Sequence, residues 1–238
     1  MKPIARTLFL FAAASMLSSC LFIGSSVKGD GIVESLEREL PGFNAVQVTS
    51  GMNVYFVEGS QQKVVVVTDQ NLHELIETTV EDNTLLIKTL GNIWSSTEKK
   101  VLITCPGLRE IRTTAGSNAF SDNRLFFDTL YLRASAGSSI KIDIEGTELE
   151  VQGSSGANIH LTGSASRLVA RTSSGSNLKA EDFTTEFSDI SVSSGSNVWV
   201  NTMRELTANA SSGGNIFYFG TPKKINSSSS SGGNINKR

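Results

Sequence analysis

The chain reads as an all-β β-solenoid, a parallel β-helix with a strand-rich, irregular N-terminal portion. Three observations carry that expectation: a recurring Ser-Gly-x-Asn-aliphatic signature, a two-residue apolar alternation in phase with it, and one long gap between its first two copies. Copies begin at Ser50, Ala115, Ala136, Ser155, Ser174, Ser194, Ser212 and Ser231. From Gly116 onward successive signature glycines stand 18 to 21 residues apart, whereas Gly51 and Gly116 are 65 apart. Self-similarity at such a period marks a repeat architecture.

Phase separates this repeat from a flexible Ser/Gly linker. The seventh, fifth and third residues before each glycine are apolar or small: Leu130, Leu132 and Ala134 before Gly137, Leu149, Val151 and Gly153 before Gly156, Leu206, Ala208 and Ala210 before Gly213. Polar residues mostly fill the positions between, the pattern of a strand with one buried face. A second short strand follows each Asn, as in Ile140-Lys141-Ile142, Ile159-His160-Leu161 and Val198-Trp199-Val200. Each unit is therefore strand, Gly-Asn bend, strand and return, and it buries a core only when its neighbours stack on it.

The signature residues have physical tasks. Gly admits positive φ at the bend, and Asn tolerates left-handed geometry better than other residues with a Cβ. Recurring once per coil, Asn118, Asn158, Asn177, Asn197, Asn215 and Asn234 fall in one column, with Ser139 as a weak rung, and their amides are expected to form a ladder. In the last unit the inward positions become Ser227 and Ser229, a polar end that discourages edge pairing.

Residues 41–107 depart from the repeat. Strands are expected over 45–48, 54–57, 64–67, 76–80, 84–89 and 101–104, with a hairpin turn at Glu81-Asp82-Asn83 and a helical turn over 71–75. The long gap implies either wider coils or a strand-rich cap on the solenoid's first edge. Residues 108–238 form the repeats, and 41–238 is expected to be one continuous domain.

Residues 1–19 have the layout of an export signal, with Lys2 and Arg6, an apolar run from Leu8 to Leu17, and small residues leading to Cys20. Leu17-Ser18-Ser19-Cys20 resembles the bacterial lipobox, so Cys20 is the expected lipid attachment site and residues 20–40 a tether. Leu21 follows, where Asp would retain a lipoprotein at the inner membrane, so the outer membrane is the expected destination. Only Cys105 remains, which excludes an internal disulfide and reads as a small core hydrophobe at a strand end.

The formal charge of -2 and the lack of a basic stripe argue against nucleic-acid binding. Because many β-helices cleave polysaccharides, the outward charges of the first strand are the candidate acids, bases and clamps. Glu110, Glu150 and Asp189 fall in one column and Arg112, Arg133 and Arg171 in the next, the arrangement of solvated cross-coil pairs. No catalytic residue is assigned. His73 and His160 lack metal-ligand spacing to another His, Cys or carboxylate, and no motif calls for a cofactor. The best ligand candidates are outward residues of the second strand: Tyr55, Trp199 and Phe217, in a column with Phe120, Lys141, His160 and Lys179 and with Phe219 nearby. Large aromatics there suit a sugar, a protein partner or a second copy of the chain.

The opening Phe43-Asn44-Ala45-Val46-Gln47-Val48, Asp82-Asn83-Thr84-Leu85-Leu86-Ile87, Pro106-Gly107-Leu108 and the Gly-x-Asn units together resemble the bacterial family described as putative auto-transporter adhesin, head GIN domain. The resemblance covers about residues 43–234 and implies a right-handed parallel β-helix on an envelope lipoprotein. The functional expectation is a non-enzymatic adhesin-like or scaffold module, anchored in the membrane by lipid and meeting a glycan, surface or protein partner. The alternative is a polysaccharide lyase or glycoside hydrolase of β-helix type.

Overall fold

In the computed structural model, which describes residues 26–238, the chain is a β-solenoid closed around a single stack of inward side chains. Seventeen strands form one continuous sheet, and Ser26–Lys28 pairs in parallel with Asn92–Ser95 in a separate two-stranded sheet. The fold class agrees with the apolar phase: Leu130, Leu132, Ala134, Leu149, Val151, Leu168, Ala170, Leu206, Ala208 and Ala210 are all buried.

Each coil has two strand columns joined by the signature turn. The entry column leads into the turn and includes Ala45–Val48 and Glu110–Thr113. The exit column leaves it and includes Asn53–Phe56, Asn118–Ser121, Asn215–Phe219 and Asn234–Lys237. In the middle coils the return is not a loop. Ser139–Gly153, Asn158–Thr172, Asn177–Val192 and Asn197–Ala210 each run unbroken from one turn to the next, serving first the exit column and then the entry column.

At the turn both central residues have positive φ, as in Ser174 (54°) and Gly175 (71°), and Ser176 N–H closes the turn on the Ser173 carbonyl at 3.3 Å. That is the requirement of a type I′ turn. Left-handed geometry therefore belongs to Gly and the Ser or Ala before it, while each signature Asn is extended and opens a strand. Successive turns are also bonded: Gly175 N–H donates to the Ser194 carbonyl and Gly195 N–H to that of Ser212, each at 3.1 Å.

Unequal coil lengths are absorbed at the corner. Asn158 pairs with Asn177, but the register then shifts between His160 and Gly163, where Gly163 pairs with Phe183. A compensating shift follows between Ala180 and Thr184 against Val200 and Asn201. These bulges let the turn columns stay aligned while the repeat varies.

The long insertion does both: it adds a parallel rung to each column and then caps it with antiparallel strands. Thr84–Thr89 continues the entry column in parallel with Ala45–Val48, and Ile76–Glu81 closes it as an antiparallel hairpin through Asp82 and Asn83, both at positive φ. Lys99–Thr104 continues the exit column, followed by antiparallel Lys63–Asp69 and Val33–Glu37. The helical turn is a 3₁₀ segment, Gln70–Leu75. The expected tether over 20–40 needs correction: its described part contains Ser26–Lys28 and Val33–Glu37, both paired to the body. Val33–Glu37 carries Glu34 and Glu37 on a largely exposed edge, so its apolar content is too low for sequence pattern to reveal a strand. The signal peptide and Cys20 lie outside the described residues.

Candidate binding face

The exit column presents two rows of outward side chains. The first is the Asn row. Asn118 Nδ2 donates to Asn53 Oδ1 at 2.9 Å, and a longer run links Asn177 to Asn158 (3.2 Å), Asn197 to Asn177 (3.0 Å), Asn215 to Asn197 (2.9 Å) and Asn234 to Asn215 (3.1 Å). Ser139 is too short to bridge its neighbours, so the row breaks there; Asn158 Nδ2 keeps only the bond to its own turn, 3.4 Å from the Gly156 carbonyl, that Asn215 and Asn234 make beside their ladder bonds. Asn177→Leu removes one donor and one acceptor from the run, and a stability loss of about 1–2 kcal/mol is expected. Thermal melting checks it, with Asn177→Ser expected to be milder than Asn177→Leu.

Below this row lies a device that sequence reasoning missed. The residue after each signature glycine points inward, and Ser117, Ser138, Ser176 and Ser196 are fully buried there. Ser176 Oγ is 3.0 Å from the carbonyl oxygens of both Gly153 and Ser173, and Ser138 Oγ is 2.9 Å from Thr113 Oγ1. These hydroxyls tie each turn to the preceding coil. Their signal was the repeated Ser of Gly-Ser-Asn, hidden among serines serving the bend.

The second outward row runs, in register, through Leu102, Tyr55, Phe120, Lys141, His160, Lys179, Trp199, Phe217 and Asn236. Its aromatics form two pairs. Tyr55 and Phe120 stack with centroids 5.0 Å apart, and Trp199 and Phe217 with centroids 5.2 Å apart. Cations cover the distal ends: Lys100 Nζ lies 5.9 Å from the Tyr55 ring centre and the Arg238 guanidinium 4.8 Å from that of Phe217. Lys141, His160 and Lys179 fill the interval between the pairs.

The entry face differs. Glu110 accepts from Arg112 at 2.7 Å and Arg133 at 3.0 Å, and Glu150 pairs with Arg171 at 3.4 Å. These carboxylates are occupied by arginines rather than aimed into a cleft. Among the described residues no group of three or more His, Cys, Asp or Glu is placed to hold a metal ion. His73 is buried in the cap, with Nε2 3.3 Å from the Glu34 carbonyl, and His160 is on the exit face, so the two histidines are not brought together. Cys105 packs against the core beside the Phe43 carbonyl, and burial pushes its thiol up to about 11, far from a reactive thiolate.

The sequence profile of the family described as putative auto-transporter adhesin, head GIN domain matches residues 42–222. The chain belongs to this family. Solved structures show the same fold. A putative adhesin from Bacteroides fragilis superposes with a TM-score of 0.81 at 19% identity, over 90% of this chain and 100% of that one. A putative lipid binding protein from Parabacteroides distasonis gives 0.69 at 18% identity, and a putative adhesin from Parabacteroides merdae 0.68 at 16%, each over 90% of this chain and 100% of the other. No curated protein matches the chain. At these identities the likeness establishes a shared β-solenoid, and the head GIN domain's work must be sought on its own faces.

Proposed function

We propose that this head GIN domain protein is a non-enzymatic adhesion module of the bacterial envelope, exported, held by lipid at Cys20 in the outer membrane, and meeting a glycan or surface partner through its exit face. The observation that carries the reading is the contrast between the two faces. The entry-face acids Glu110 and Glu150 are held by arginines, whereas the exit face keeps two aromatic pairs with the unpaired Lys141 and Lys179 between them, half-exposed or exposed. Such a long flat surface suits recognition of an extended partner, and the names of the structural relatives point the same way. The enzyme alternative has no comparable support, because Glu110 and Glu150 are both engaged by arginines.

The test is binding of the full chain to bacterial and host cell surfaces. Trp199→Ser with Phe217→Ser removes one stacked pair and is expected to lower binding at least fivefold with the fold retained by circular dichroism. Undiminished binding by that double variant would count against the exit face as the contact surface.

A further inference from the structure

Three features coincide at the middle of the exit face. The Asn row is interrupted at Ser139, the only rung from Asn118 to Asn234 that is not Asn. At that interruption lies a shallow groove of about 400 Å³ lined by Phe120, Ser139, Lys141, Asn158, His160 and Lys179. Along its length Lys141, His160 and Lys179 occupy three successive coils, about 4.8 Å apart in the strand-stacking direction.

The lysines of this groove differ from most arginines of the solenoid. Arg112, Arg124, Arg133, Arg167, Arg171, Arg204 and Lys224 each sit within 4.0 Å of a carboxylate, as the eleven ion pairs of the described residues show. Lys141, His160 and Lys179 take part in none of those pairs. The acids nearest in sequence do not neutralise them: Asp143 is held by Arg124 at 3.1 Å, and Glu181, whose Oε2 is buried, forms no ion pair among the described residues. Like charges stacked coil on coil repel one another and are destabilising in a sheet. Lys141 and Lys179, on either side of His160 and both unpartnered, are a cost that an external anion would remove.

The walls narrow the kind of anion. Phe120 is stacked on Tyr55 with its other face toward Lys141, and Trp199 is stacked on Phe217 with its other face toward Lys179. The groove is thus a basic strip lined at one end by Phe120, with Trp199 on the next coil beyond Lys179. Its sides carry amide and hydroxyl groups from Asn158, Asn177 and Ser139 that can donate to and accept from hydroxyls. Two unpaired ammonium groups, neutral hydrogen-bonding flanks and neighbouring aromatics suit a linear chain of acidic sugars lying along the solenoid axis.

We infer that this groove binds an acidic polysaccharide, its carboxylates meeting Lys141 and Lys179, its hydroxyls meeting His160 and the Asn158 and Asn177 amides, and its sugars touching Phe120 and Trp199. This rests on the exit face being the contact surface and names the class of ligand it takes. A polyanion held by exposed cations is screened by salt, so affinity falls steeply as ionic strength rises.

The experiment measures binding of the full chain to polygalacturonate, to neutral dextran and to phosphatidylglycerol vesicles, by calorimetry at low and high salt. Polygalacturonate is expected to bind in preference to dextran, to weaken at high salt, and to lose at least tenfold in affinity in Lys141→Glu with Lys179→Glu. Lys224→Glu, on the entry column, is the control and leaves affinity unchanged. The inference is overturned by equal binding to dextran, by binding to the vesicles alone, by no binding to polygalacturonate, or by an undiminished double variant. Loss of cell-surface binding in the Trp199 and Phe217 variant without polygalacturonate binding would remove this inference and leave the adhesion reading standing. Polygalacturonate binding without any effect of that aromatic variant on cells would do the reverse.

Discussion

Gly163→Ala is expected to destabilise the solenoid by about 3 kcal/mol or more, combining the strain of an unfavourable φ with overpacking. Gly163 holds φ at +107°, and a Cβ there would stand 2.1 Å from the carbonyl oxygen of Ile144 in the preceding coil. That carbonyl cannot retreat. Ile144 lies within Ser139–Gly153, which is paired on both sides, to Leu125–Ala134 and to Asn158–Thr172. The melting temperature should fall by roughly 6–12 °C for a chain of this size. Gly175→Ala is the control: its φ of +71° is strained for alanine, but nothing lies within 4 Å of the added Cβ, so a smaller loss of about 1 kcal/mol is expected. Equal effects at the two sites in a thermal melt would show that close approach of the coils is not what demands glycine at the corner.

Asp69→Asn is expected to release the N-terminal strap, the segment with Ser26–Lys28 and Val33–Glu37, while leaving the solenoid folded. Asp69 is fully buried, and its carboxylate accepts from Gly31 N–H at 2.8 Å and Thr97 N–H at 2.7 Å. Gly29 lies so close that a Cβ would come 2.6 Å from the carboxylate carbon. An asparagine can accept on only one side and presents an NH₂ group to the second N–H, so one backbone donor is left unpaired. Trypsin cleavage after Lys28 and faster amide exchange at Gly31 should report the release, and unchanged rates at both would refute it.

The same carboxylate sets a pH dependence. Burial pushes Asp69 up, but the hydrogen bonds from Thr97, Gly31 and Glu98 outweigh it and hold the group below the ordinary carboxylate value. A folded-state pKa that is depressed contributes stability that is fully present above the unfolded value near 3.9 and is lost as pH falls through the lower folded value. Strap protection in the wild type should therefore persist to about pH 4 and decline below it. In Asp69→Asn this acid-induced loss of protection should be absent.

Much of the architecture is legible in the residues themselves because a solenoid repeats its physics. Leu130, Leu149, Leu168 and Leu206 recur at one distance before the signature glycine, and each is buried for the same reason. Their period of two, locked to the turn, leaves stacking as the way to close a core. The Asn row is equally local, since one amide per coil at one position lies in one column. The strap is not legible in this way, because Val33–Glu37 is a polar edge strand whose partner lies some thirty residues away. Asp69 is likewise silent in sequence: its importance depends on Gly29, Gly31 and Thr97 converging on it through the cap.

The binding face divides along the same line. That Tyr55, Trp199 and Phe217 point outward follows from alternation alone. That Tyr55 stacks on Phe120 and Trp199 on Phe217, with Lys141, His160 and Lys179 left unpaired between them, follows from register. Sequence by itself determined the coil, its inward apolar row and its turn, because each repeat meets the same short-range constraints. Tertiary structure alone decided that the 65-residue gap adds a parallel rung to each column and closes it with antiparallel strands, that the return segments are strands, and which charges find partners. Those outcomes depend on which coil lies beside which, and that is set by stacking the whole chain.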